Sequence, residues 1–264
     1  MKKALVVVSI ICGAVGLYAD EGTTASEQNF TVDTSVGFKN EYFFRGRNTL
    51  HETFISRAEI GCQIFDGTMA YAGVNSAFGI KSPSQLNHLS PCVGISYNVT
   101  DEVMLNAGFE YHFYTAIPLT RRNGRPFGVK RHSKEVHLGI IFDTFMKLSL
   151  NGFYDFDRQE VSFEGMGVYN LDLSSLFTGL GIDIWAKIGH DYTGKPLGVE
   201  RFKILKERYN YYGVGADLAY RFNHARVKVG VGYEGNSAKK DSWVNGWTTF
   251  SKGMVVNASV DCSF

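Results

Sequence analysis

The sequence predicts an all-β protein: a closed antiparallel transmembrane β-barrel of about twelve strands, with short periplasmic turns and longer extracellular loops. Three observations predict it. The N-terminus has the layout of a secretory leader, apolar and polar residues alternate almost without interruption from residue 30 to the end, and the connections between alternating runs are short and long in turn. Composition removes the competing classes. Among 264 residues, 44% are hydrophobic and 14% aromatic, which is too rich for disorder. Twenty-seven Lys and Arg balance 26 Asp and Glu, so nucleic acid is not an expected partner. Twenty-nine glycines without a collagen-like period exclude a fibrous chain. Beyond the leader, no apolar run approaches the ~18 residues that a spanning helix needs.

Residues 1–19, MKKALVVVSIICGAVGLYA, pair two lysines with an apolar stretch and small residues, the pattern of a cleaved signal peptide. Residues 20–28 read as a short polar tail, and the barrel is expected over 29–264. Cys12 leaves with the leader. The remaining Cys62, Cys92 and Cys262 are odd in number, so a disulfide framework is not expected and the thiols are read as small buried groups.

The strands follow in order. In FTVDTSVGFKNEYFF, Phe30, Val32, Val36, Phe38, Tyr42 and Phe44 share one face, with Asp33, Ser35, Gly37, Lys39 and Glu41 on the other. In VMLNAGFEYHF the apolar face carries Val103, Leu105, Ala107, Phe109, Tyr111 and Phe113, opposite Asn106, Gly108, Glu110 and His112. In YGVGADLAYRF the alternation sets Tyr212, Val214, Ala216, Leu218, Tyr220 and Phe222 against Gly213, Gly215, Asp217 and Arg221. Similar runs lie near 53–65, 68–78, 91–99, 135–143, 146–157, 160–171, 178–189, 225–235 and 249–264. Most are close to the ~9–11 residues that cross a membrane when tilted.

Asp66-Gly67, 100–102, 143–145, 173–176 and Asn223-His224 read as tight turns; 45–52, 79–90, 114–134, 190–207 and 236–248 read as longer connections. Only the connection near Arg158-Gln159 breaks that beat. Aromatic residues gather at the strand ends on both sides, as two headgroup-level belts require. Gly179 and Gly181, with the pairs Gly213/Gly215 and Gly230/Gly232, read as strand glycines that make room for neighbouring side chains.

Alternation does not say which face is the core. About eight strands close a soluble ligand barrel around its apolar face. About twelve enclose a space too wide for Ala, Val and Leu to fill, so the apolar face is assigned to lipid and the polar face to a wet lumen. Lys39, Glu41, Arg57, Glu59, Glu110, His112, His137, Asp155, Asp183, Lys187, Asp217, Arg221 and Lys228 are the expected lumen charges. The last strand, MVVNASVDCSF, alternates to a C-terminal Phe264 and resembles the terminal strand through which the outer-membrane assembly machinery recognises barrels.

TSVGFKNEYFFRG, followed by a second strand and GTMAYAGVNSAFG, resembles the opening of the TorF-like family of small outer-membrane porins of Gram-negative bacteria. The elements that carry the likeness are Phe44-Arg45-Gly46 and Tyr71-Ala72-Gly73, within about the first sixty residues after the leader. The resemblance implies the barrel fold and a general porin role in the outer membrane, and fixes no substrate.

The expected function is therefore passive diffusion of small hydrophilic solutes or ions, without catalysis, cofactor or metal. In the 114–134 connection, Arg121, Arg122, Arg125, Lys130 and Arg131 form a basic extracellular loop suited to lipopolysaccharide phosphates or to drawing anions to the mouth. Two alternatives carry specific residues. A barrel-embedded lipid or lipid A hydrolase would use Glu110, His112 and His137, which share a level if residues 114 and 135 pair. An adhesion or structural barrel would use the 236–248 loop with Trp243 and Trp247.

Overall fold

The computed structural model describes residues 30–45, 47–80, 87–114, 121–122, 125–126, 132–193, 207–238, 243–244, 247–248 and 252–264. The leader and tail expected at 1–28 lie outside the described residues, as do Lys130 and Arg131.

Twelve strands make the wall: β1 Phe30–Phe44, β2 Arg47–Phe65, β3 Thr68–Gly79, β4 His88–Asn98, β5 Val103–Tyr114, β6 His132–Asp143, β7 Lys147–Asp155, β8 Glu160–Asp172, β9 Leu180–Thr193, β10 Glu207–Phe222, β11 Ala225–Asn236 and β12 Lys252–Ser263. Each pairs antiparallel with its sequence neighbour, and β12 closes on β1. The seam runs from Asp33 opposite Ser263 to Lys39 opposite Asn257. Beyond it, Val32 and Phe264 exchange backbone bonds of 2.9 and 3.0 Å, which extends the seam. Closure gives each of these strands a hydrogen-bonded neighbour on both sides, which a hydrocarbon environment demands.

The faces are inverted relative to a soluble protein. The largest fully buried side chains are Tyr211, Leu50, Glu160, Val255, Thr53, Asp155, Asp191, Ser90, Ser133 and Ser162, mostly polar. Ile60, Val93, Leu138, Phe163, Ile188, Val214, Val231 and Met254 are more than half exposed on the outside. Leaving an aliphatic or aromatic side chain in water forfeits ~1.5–3 kcal/mol. A wall of them would exceed the ~5–15 kcal/mol that holds a domain together, so lipid covers this face.

Aromatic rings mark both ends of the outer face. Tyr154 and Phe156 pack 4.9 Å apart, and Tyr212 and Tyr233 stack at 6.5 Å, towards the long-loop rim. Phe177 and Tyr220 at 5.9 Å, with Tyr220 and Phe222 at 6.1 Å, lie at the short-turn rim.

The short turns fall where expected. Asp66-Gly67 uses Gly67 at φ 69° and Asn223-His224 uses Asn223 at φ 49°, both in the left-handed region that turns favour. Three expectations change. Residues 45–52 are not a long connection: β2 begins at Arg47, and the β1–β2 ladder continues up to Phe44 opposite Arg47. Tyr42 and Phe44 do not share the lipid face of Phe38. Both rings pack inside, 5.7 and 5.9 Å from His88, so the face changes between Phe38 and Tyr42, across from the left-handed Glu52 of β2 at φ 46°. Gly179 sits before β9 at φ 82°, outside the strand. The three cysteines are free, with Cys92 buried and Cys62 and Cys262 half-buried.

Candidate functional site

Contacts between strands that are not neighbours identify the inner face, because only the interior lets side chains reach past an intervening strand. Arg226 of β11 meets Asp183 of β9 at 2.7 Å. Asn257 of β12 donates to Asp217 of β10 at 3.0 Å, and Asn75 of β3 donates to Glu110 of β5 at 3.0 Å. Lys187 of β9 pairs with Glu234 of β11. Strand alternation then places the residues expected to carry lumen charge on this face, apart from Glu41, which neighbours the inward-turned Tyr42.

Most of those charges are paired. Lys228 and Asp261 are 2.6 Å apart, and Arg57 and Glu59 are 2.7 Å apart in a wide, exposed part of the interior. Asp183 also accepts from Asn170 at 2.8 Å. Lys39 lies in the field of Glu234 and Asp217, and the Glu41 carboxylate lies against Gly253. Arg221 lines the short-turn mouth beside Arg226.

Register brings together a row that no single strand announces. Glu110 on β5 stands opposite Glu135 on β6, Glu135 opposite Asp155 on β7, and Asp155 opposite Glu160 on β8. Four carboxylates thus occupy one level of four adjacent strands, although like charges directly opposite destabilise a ladder. Two guanidiniums offset part of this. Arg45, left-handed at φ 47° just after β1, is buried inside the barrel. It contacts Glu135 at 2.5 Å and Glu160 at 3.4 Å, beneath the rings of Phe44 and Phe153. Tyr209 donates to its carbonyl at 3.1 Å. Arg158 reaches Asp155 at 3.6 Å, while Asp155 accepts the N–H groups of Asp157 and Arg158 at 2.9 Å each.

At the Glu110 end, His112 Nε2 is 3.6 Å from Glu110 and 3.9 Å from Glu135. Its Nδ1 is 2.7 Å from Ser90 Oγ. His137 is not part of this group. Its register partner is Gly108, so His112 faces Ser133 and the two histidines are four residues apart along the ladder, about 13 Å at ~3.3 Å per residue. His137 instead meets Asn106 at 2.8 Å and Tyr71 at 3.2 Å, and a Cβ at Gly108 would press on its ring. The Glu110–His112–His137 constellation is therefore not assembled. Trp185, unmarked in the sequence, lies inside against Gly215 and Gly232, a use of strand glycines that the spacing foresaw.

The interior is not filled. A vestibule of about 720 Å³ at the short-turn end is walled by Asp33, Ser35, Arg57, Arg226 and Asp261. A deeper cavity of about 300 Å³ is walled by Ser35, Arg57, Tyr42, His88, Glu110 and His112. Ser35 and Arg57 border both, so the two spaces adjoin between the short-turn mouth and Glu110 of the carboxylate row. Of the basic loop, Arg121–Arg122 pairs with Arg125–Pro126 as a small hairpin whose side chains, with Lys130 and Arg131, lie outside the described residues.

No protein-family model and no curated protein matches the chain. Solved structures do match in fold. An outer membrane channel from Pseudomonas putida F1 aligns over 92% of this chain and 100% of its own, with 11% identity and a TM-score of 0.52. LpxR from Salmonella typhimurium aligns over 88% and 99%, with 9% identity and a TM-score of 0.52. The NanC porin aligns over 88% and 98%, with 12% identity and a TM-score of 0.48. Likeness at this level of identity concerns architecture: the chain has the closed antiparallel barrel found in outer-membrane proteins.

Proposed function

We propose that this barrel is a small porin-like channel in a Gram-negative outer membrane, passing small hydrophilic solutes or ions passively after export through a cleaved leader. The observation that supports it most is the inner surface: mostly paired charges line two cavities that share Ser35 and Arg57, while the outer surface is apolar. Such a lining lets an ion exchange part of its hydration for fixed charges without trapping it. Arg45, buried across the interior against Glu135 and Glu160, implies a small conductance.

Inward carboxylates, among them Glu59, Glu110, Glu135, Asp155, Glu160, Asp183 and Asp217, exceed the inward bases, so cations are the favoured ions. The resemblance to TorF-like porins supports the same general role. The Arg121, Arg122, Arg125, Lys130 and Arg131 loop is suited to lipopolysaccharide phosphates, and the strand ending at Phe264 to the barrel assembly machinery.

Planar-bilayer recordings of the refolded protein in a salt gradient test the reading. Discrete small steps with a reversal potential of cation-selective sign are expected. Absence of steps at every voltage, with the barrel verified as folded, overturns it.

A further inference from the structure

We propose that Glu110, His112 and Glu135 form a binding site for a divalent first-row transition metal ion inside the barrel. This does not depend on the barrel conducting ions.

The three ligand atoms lie within 4.8 Å of one another. Ligands around a tetrahedral zinc ion, at bond lengths of ~2.0–2.1 Å, are about 3.3 Å apart, so modest carboxylate rotations close the set. The scaffold is rigid: Glu110 and His112 are two residues apart on β5 and share a face, and Glu135 is the register partner of Glu110 on β6. One imidazole with two carboxylates is a donor set that suits zinc and its neighbours.

Two independent observations point to a cation here. His112 has a side chain only 4% exposed, yet its Nε2 makes no hydrogen bond and faces both carboxylates. In the tautomer whose Nδ1–H donates to Ser90 Oγ, Nε2 keeps its lone pair for a metal, the arrangement in which an outer partner fixes the ligating nitrogen. The second is charge. In the row, Glu135, Asp155 and Glu160 each contact a guanidinium, whereas Glu110 accepts from the neutral amide of Asn75 and stands opposite Glu135. A divalent ion supplies the missing charge. The deeper cavity, walled in part by Glu110 and His112, provides the way in from the short-turn mouth.

Arg45 is the built-in competitor, because its guanidinium holds Glu135 when no metal does. Arg45→Gln is therefore expected to tighten binding by ~10-fold or more, whereas Ser90→Ala weakens it by ~10-fold to 100-fold. His112→Gln weakens it at least as much, and His137→Gln leaves it unchanged.

Zinc chloride titrated calorimetrically into the refolded full-length barrel in detergent provides the test, with each variant first checked for a folded, heat-modifiable gel band. One ion per barrel, lost in His112→Gln and retained in His137→Gln, supports the site. No saturable zinc binding, or equal loss in the two histidine variants, overturns it. Should His112→Gln fail to fold, Arg45→Gln decides: unchanged or weakened affinity contradicts the proposal.

Discussion

Arg45 shows how far a residue's role depends on partners distant in sequence. Its guanidinium bridges Glu135 and Glu160, from strands that begin well beyond it in the chain. Read along the sequence it belongs to a polar connection; only the ladder registers reveal that it closes a row of carboxylates. Removing one partner of a buried charge cluster costs ~3–5 kcal/mol, because the other charges stay buried and unpaired. Arg45→Ala is thus expected to lower the temperature at which the folded gel band is lost. It should also enlarge the single-channel conductance and strengthen the cation preference. The face that most of the inward charges share was legible, since alternation assigns a face. Their pairings were not: His112 and His137 share that face, yet a four-residue difference from the assumed register separates them.

At the scale of the element, strand existence and the short turns were legible because both follow from local chemistry, period-two alternation and residues that tolerate turn geometry. The β1–β2 hairpin was not, because residues 47–52 lack clear alternation and their pairing comes from the partner strand. The change of face that turns Tyr42 and Phe44 inward, across from the left-handed Glu52, is likewise a property of two strands together. Face assignment makes an element-level prediction. Val231, half-exposed in the middle of β11, points to lipid, so Val231→Lys should cost ~2–4 kcal/mol in denaturant unfolding from lipid vesicles. The same change at Ser96, on the inner face of β4, should cost much less. Equal costs would contradict the assignment.

For the whole molecule, closure, inverted faces and two cavities that Ser35 and Arg57 both border make a coherent membrane barrel with an incompletely filled interior. The barrel should resist detergent at room temperature and run as a faster gel band until boiled; identical mobility before and after boiling would count against a closed barrel. The most direct measurement follows individual positions of β12 in a variant lacking Cys62, Cys92 and Cys262, reconstituted in lipid. Single cysteines carrying spin labels are placed from Met254 to Asp261, and their collisions with oxygen and with a water-soluble nickel chelate are compared. Oxygen should dominate at Met254, Val256, Ala258 and Val260, and the chelate at Asn257, Ser259 and Asp261. Chelate access without alternation along the strand would contradict the lipid-facing barrel.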